Sequence, residues 1–197
     1  MVRIHLFRLG AVPPRVVQTI ASGIDRYLGA VAITHSDILD PDAAFDLGRG
    51  QYHATHLLER LEAHCPGQRV LGLTEVDLFI PIFTFVFGQA RLCGPGAILS
   101  LRRLSPTFYG LPDNPERTLQ RAVTETIHEL GHTFNLRHCP DYACVMHASR
   151  LADDIDLKSP SFCIQCARSL YLQQLQPKTN KKTGEEILTR VEHQPKN

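Results

Sequence analysis

Apolar positions along this chain switch between a period of two and a period near 3.6, and the switches predict the elements. Residues 2–9 alternate in part and stop at Gly10, which predicts a strand. Pro13-Pro14 opens a helix over about 13–28, with Val16, Val17, Ile20, Ile24 and Leu28 at helical spacing. Residues 30–35 read as a second strand, and the polar, Gly/Pro-punctuated stretch from Asp37 to Gly50 as a loop. Tyr52 to His64 reads as a helix with Leu57, Leu58 and Leu61 on one face, closed by Cys65-Pro66-Gly67. Three apolar runs follow, 70–79, 82–91 and 97–101, read as strands joined by turns at Pro81 and at Gly94-Pro95-Gly96. The order β-α-β-α-β-β-β predicts an α+β fold, a mixed five-stranded sheet with helices packed on it.

Asp113-Asn114-Pro115-Glu116 is a helix start, with a cap at Asn114, proline in the first turn and then an acid. That helix should run to about Asn135 and bury Leu119, Val123, Ile127, Leu130 and Phe134. A loop from His138 to about Pro160 should lead to a last helix over 161–176, and from Pro177 the chain is a polar, lysine-rich tail or exposed hairpin. No internal repeat and no glycine-rich phosphate loop is present.

Composition narrows the function classes. The 197 residues are 43% hydrophobic and 21% charged, values of a globular domain able to bury a core without staples. A net charge of +1 predicts no bulk attraction to nucleic acid or to an anionic membrane. No apolar run reaches the roughly 18 residues of a membrane span, and the first ten residues lack the pattern of a signal peptide, so a cytoplasmic location is expected. Ten His and six Cys change the picture, because four of each lie between His128 and Cys166.

Within that segment stands His128-Glu129-Leu130-Gly131-His132. Residues four apart on a helix lie about 40° apart around its axis, so both imidazoles can face one ion. Glu129 lies beside the pair, within reach of a metal-bound water and not required as a ligand. Zinc suits two imidazoles, and a catalytic zinc needs a third protein ligand and an open position. The third candidate is His138, which a straight helix cannot bring back. Asn135 sits where the chain must turn, in the place of the glycine in H-E-x-x-H-x-x-G-x-x-H, and asparagine is the residue with a side chain that most readily visits positive φ.

From His128 to Cys166 the chain resembles the archaemetzincins (archaelysins), a group of metzincin zinc peptidases. Their pattern continues past the third histidine as H-C-x4-C-x-M and later C-x2-C. Here it reads His138-Cys139-Pro140-Asp141-Tyr142-Ala143-Cys144-Val145-Met146, then Cys163-Ile164-Gln165-Cys166. The resemblance implies a metzincin-like fold, a twisted sheet over a zinc-binding active-site helix. It implies His128, His132 and His138 as catalytic zinc ligands, Glu129 as general base and Met146 on the Met-turn beneath the imidazoles. The implied activity is that of a zinc metallopeptidase, hydrolysing peptide bonds with a zinc-bound water while an extended substrate pairs with an edge strand within 82–91. Two departures stand out. Asn135 replaces the glycine, and Ala148 stands where some other metzincins carry a tyrosine.

Cys139, Cys144, Cys163 and Cys166 form C-x4-C-x18-C-x2-C, two pairs that can close a tetrahedron around a structural zinc. Two disulfides or unpaired buried thiols are the competing readings, and a reducing compartment disfavours the first. Two zinc ions per chain are therefore expected. Cys65 and Cys93 read as small buried residues, His53 and His56 as surface residues on a helix, and His147 is left out of the site. The expected organisation is one catalytic domain in three parts. Residues 1–138 carry the sheet and zinc helix, 139–176 the Met-turn, cysteine site and last helix, and 177–197 the tail. A peptide or small-protein substrate is expected, with no nucleic acid, no membrane, and a monomer. The alternative is a zinc-stabilised peptide-binding protein with little turnover. A nucleic-acid module built on the cysteine site and the tail is disfavoured, since the tail holds only five Lys/Arg against three Glu.

Overall fold

The computed structural model describes residues 1–175. The polar tail read over 177–197 lies outside the described residues. The elements are β1 (Arg3–Leu9), α1 (Pro14–Leu28), β2 (Val31–Leu39), β3 (Phe45–Asp46), β4 (Gln51–His53), α2 (Ala54–His64), β5 (Arg69–Thr74), β6 (Leu78–Phe79), β7 (Gly88–Ala90), β8 (Gly96–Ser100), α3 (Pro115–Thr133), α4 (Ala152–Asp156) and α5 (Ile164–Leu175). The main sheet has five strands in the order β2-β1-β5-β8-β7, and β3, β4 and β6 form a small second sheet. All pairs in the main sheet are parallel except β7 with β8. The mixed five-stranded sheet expected from the hydrophobic pattern is present.

Strand alternation divides the core between the two faces of the sheet. Ile4 and Leu6 of β1, Leu71 and Leu73 of β5, and Ala97 and Leu99 of β8 pack with α1 and α3. Phe7, Leu9, Val70 and Ile98 point the other way and pack with α2. Helix α1 closes on α3 where Gly23 leaves no room for a Cβ, which would stand 2.8 Å from Val123 Cγ1. Helix α3 is thereby held under the sheet, with β7 as the edge strand beside it.

Several boundaries differ from the sequence reading. The run 70–79 splits: β5 ends at Thr74, whose Oγ1 donates to Leu9 O, and β6 leaves to pair with β4. Only Gly88–Ala90 of the run 82–91 is strand. The rest loops because side chains meet its carbonyls. Arg49 donates to Phe83 O and Thr84 O, and Gln51 to Thr84 O, each at 3.1 Å, while Ile82 is 80% exposed. The loop read at 37–50 gives up its start to β2 and its centre to β3. Helix α2 begins at Ala54, because Gln51–His53 pair with β6 and with β3. The loop read at 138–160 contains α4, whose Asp153 and Asp156 hold the buried Arg121 of α3. Helix α3 ends at Thr133 and α5 starts at Ile164, each inside the boundary expected. Cys93 is exposed, not buried, since the turn that carries it has φ 57° and bonds to the end of α3 through its backbone. His53 is half-buried rather than on the surface, as it ends β4 and stacks on His56.

Asn114 caps α3 as expected, its Oδ1 accepting from Arg117 N at 3.0 Å. Asn114→Ala leaves that amide without its partner and should cost about 1 kcal/mol. In urea unfolding the midpoint should fall while the slope stays the same.

Candidate metal centre and active site

Helix α3 positions the first two histidines one turn apart and ends immediately afterwards. Asn135 has φ 64°. Leu136 N donates to Gly131 O at 3.1 Å and Asn135 N to His132 O at 2.9 Å, the bond pair of a Schellman ending with asparagine at its left-handed position. Arg69 of β5 donates to Thr133 O at 2.6 Å and lies over the Phe134 ring, which satisfies a further carbonyl of the last turn. The reversal returns His138 to the other two imidazoles. The ring nitrogens of His128, His132 and His138 offer one atom each, all within 4.8 Å of one another.

The orientation of these rings is set from behind. His128 Nδ1 bonds Val145 O at 2.8 Å and His132 Nδ1 bonds Leu136 O at 2.7 Å. A carbonyl can only accept, so both Nδ1 atoms carry the proton and both Nε2 lone pairs face the common point. Those two Nε2 atoms are 3.1 Å apart. A tetrahedral zinc with bonds of about 2.0–2.1 Å would separate its nitrogens by about 3.3 Å, so the donor set fits the ion. Burial, followed by the Lys158 ammonium, holds His128 well below the usual imidazole value. Burial lowers His132 and, though its ring is more exposed, His138 as well, and the shift favours the neutral form that can ligate.

Glu129 is buried beside the pair and lines a cleft of about 630 Å³ together with His128, His138, Ala148–Arg150 and the segment Phe83–Gly88. Burial, then the neighbouring Glu125, raises its proton affinity well above the ordinary carboxylate range, opposed by Lys158. Strand β7 passes directly over it. A Cβ at Gly88 would stand 2.9 Å from Glu129 Oε1 and 2.6 Å from Ile98 O, so only glycine permits the approach. Met146 is fully buried under the helix, and Gly131 is the opening for it, because a Cβ there would overlap Met146 Sδ. A larger groove of about 970 Å³ lies between α1 and α3; no group of three metal-ligating side chains among the described residues lies there.

The four cysteines form a second cluster. Cys139, Cys144, Cys163 and Cys166 bring their sulfurs within 4.8 Å of one another. Cys139 Sγ and Cys163 Sγ are 3.8 Å apart, far beyond the roughly 2.05 Å of a disulfide and matching the edge of about 3.8 Å expected around zinc with bonds of about 2.3 Å. Cys163 N donates to Cys144 Sγ at 3.3 Å. This cluster is tied to the histidines, since Cys139 N donates to Met146 O and Cys139 adjoins His138. His147, left out by the sequence reading, bonds Cys139 O through Nδ1 at 2.9 Å and stacks at an angle on Tyr142.

A model of peptidase family M54 matches residues 40–172. The chain belongs to that family. It is 43% identical over 157 residues to the archaemetzincin of Methanopyrus kandleri, covering 79% of this chain and 86% of that protein. To the archaemetzincin of Thermococcus kodakarensis it is 36% identical over 170 residues, covering 82% and 91%. The crystal structure of the Methanopyrus kandleri archaemetzincin superposes with a TM-score of 0.77 at 39% identity, over 88% of this chain and 95% of that one. The archaemetzincin of Archaeoglobus fulgidus, complexed with malonate, gives 0.75 at 32% identity over 85% and 99%. Metalloproteinase-II of Bacteroides fragilis, 10% identical with a TM-score of 0.53, shares the fold alone. The resemblance read from His128 to Cys166 is thus borne out. The chain is a zinc metallopeptidase of the archaemetzincin family, and its substrates are peptides. Among the described residues no helix is long and apolar enough to cross a membrane.

Three residues of this site escaped the sequence reading: Glu125, Lys158 and Gly88. Glu125 lies one turn before Glu129 on the same helix face, a signal that was available. Lys158 and Gly88 carry none, because only the packing brings them to α3.

Asn135→Gly should hold or raise stability, because glycine enters the left-handed region freely. Asn135→Ala should lose roughly 1 kcal/mol. Urea midpoints of the two variants against the native chain check this, and a stabilising Asn135→Ala would contradict it.

Proposed function

We propose that His128, His132 and His138 hold the catalytic zinc and that Glu129 is the general base of peptide hydrolysis. The observation that carries this reading is the meeting of two imidazole Nε2 atoms at 3.1 Å, both turned outward by carbonyls, beside a buried carboxylate on the adjoining residue. When bound, zinc supplies a Lewis acid that polarises a carbonyl and lets water act as a nucleophile near neutral pH. Glu129 takes the proton of the attacking water and passes it to the leaving amine. Its raised proton affinity, caused by burial and Glu125, suits a group that must accept a proton and return it.

The open side of β7 receives the substrate. Phe87 O accepts from Ser100 N and Arg91 N donates to Gly96 O. In an antiparallel pair the bonded positions alternate, so the amides and carbonyls of Gly88 and Ala90 face away from β8. An extended peptide adding to that edge gains backbone hydrogen bonds with little sequence choice. The four cysteines hold a second, structural zinc that keeps His138 in place through Cys139, two ions per chain in all. None of the six cysteines is in a disulfide, which suits a reducing compartment such as the cytoplasm.

Glu129→Ala should keep both metal ions and lose about 10²–10⁴-fold in turnover. His132→Ala should lose one ion together with the rate. Metal analysis and a peptide-library digestion read by mass spectrometry decide it, and wild-type cleavage by a zinc-loaded Glu129→Ala protein would refute the assignment.

The cysteine site makes a separate expectation. Protein purified without chelator should carry close to two zinc ions. Cys163→Ser should melt well below Glu129→Ala in zinc-replete buffer, because a closed structural site is coupled to folding by several kcal/mol. Equal melting temperatures would remove the structural role.

A further inference from the structure

Lys158 leaves the loop after α4 and runs its side chain under the histidine site, where only 1% of it is exposed. Its ammonium has three protons to donate, and three acceptors surround it: Glu125 Oε1 at 2.8 Å, His147 O at 2.8 Å and Val145 O at 3.2 Å. Val145 O is the carbonyl that also receives His128 Nδ1. One nitrogen therefore joins the helix that carries the histidines to both sides of Met146, and it shares an acceptor with a metal-ligating ring. Glu125 is equally enclosed, at 4% exposure, and takes a longer bond of 3.4 Å from Ser149 Oγ.

Stability does not account for this arrangement. Removing an ammonium and a carboxylate from water is costly, and a well-packed apolar pair of similar volume is often as stable or more so. An apolar pair has no direction, however. It would fill the space and leave the Val145 carbonyl free to rotate. Three convergent bonds to one nitrogen hold that carbonyl, and with it the His128 ring, to a single orientation.

We propose that Lys158, neutralised by Glu125, is a positioning residue of the histidine site: it fixes the 145–147 segment against α3 so that His128 Nε2 stays aimed at the metal. The proposal rests on the histidines holding the catalytic ion. Glu125 is accordingly a partner for Lys158 and not a binding group for the ammonium of a substrate.

The test uses the full chain loaded with two metal ions and the double variant Glu125→Gln/Lys158→Met, which buries no uncompensated charge. Release of the histidine-site ion to excess chelator is followed by native mass spectrometry well below the melting temperature, and the visible spectrum is recorded with cobalt(II) in that site. Outer partners of ligating histidines typically govern about 10–100-fold in metal affinity. The double variant should melt near the native temperature and keep the cysteine-site ion. It should release the histidine-site ion about 10–100-fold faster, with an altered cobalt spectrum and a lower kcat at unchanged KM. Release at the native rate with an unchanged spectrum would overturn the proposal. Lys158→Arg supplies the same readout should the double variant fail to fold. It keeps the charge but cannot place three donors around one atom, so its release should fall between the two, and native behaviour would count against the proposal. A native chain that takes up no ion on its histidines overturns the metal reading itself, an outcome distinct from the others.

Discussion

The reversal of the chain after Thr133 is the constraint on which the rest of the site depends. Two histidines four apart can face one point from a helix, but a third can join them only if the helix stops and the backbone doubles back. Asn135 at φ 64° supplies the reversal, and two Schellman bonds hold it. The consequences extend past His138. The Leu136 carbonyl, turned inward by the reversal, is the acceptor that orients His132, and Cys139 is brought against the Met146 turn. Gly131, whose carbonyl accepts one of those bonds from Leu136 N, is also the residue whose missing side chain admits the Met146 sulfur.

Beneath this reversal His128, Glu129, Glu125 and Lys158 are buried, and their electrostatics follow from that. Burial discourages charge on each imidazole, which leaves lone pairs free for a cation. The same burial raises the proton affinity of Glu129, and a second carboxylate one turn away raises it further. Lys158 is the compensating charge, and its position under the turn serves the carboxylate and the backbone carbonyls at once. Closing these groups from water strengthens each of their interactions. It also makes each of them costly to leave unpaired.

The sheet contributes through its edge. A parallel strand in the place of β7 would need a long crossover, whereas the antiparallel return from β7 to β8 takes only a short turn. That turn bonds directly to the end of α3, with Cys93 N donating to His132 O. The strand, the helix end and the cleft are thereby fixed to one another, and Gly88 lets them lie close enough for the carboxylate and the strand to share one wall.

By itself the sequence determined the layered α+β frame, the helix under the site, its cap at Asn114 and the two groups of side chains, three histidines and four cysteines, that the fold gathers. Each is a local or periodic property: the alternation in β1, the stripe from Leu119 to Leu130, the fixed spacing from His128 to Cys166. Strand limits in 70–91 were not legible, because Arg49 and Gln51 compete there for carbonyls that a ladder would otherwise use. Nor was Lys158, whose importance comes from three acceptors that lie 11, 13 and 33 residues away in the chain. Local spacing can say which side chains share a face. Only the tertiary structure decides which distant carbonyls and charges stand behind them, because that depends on how separate segments pack once water is excluded.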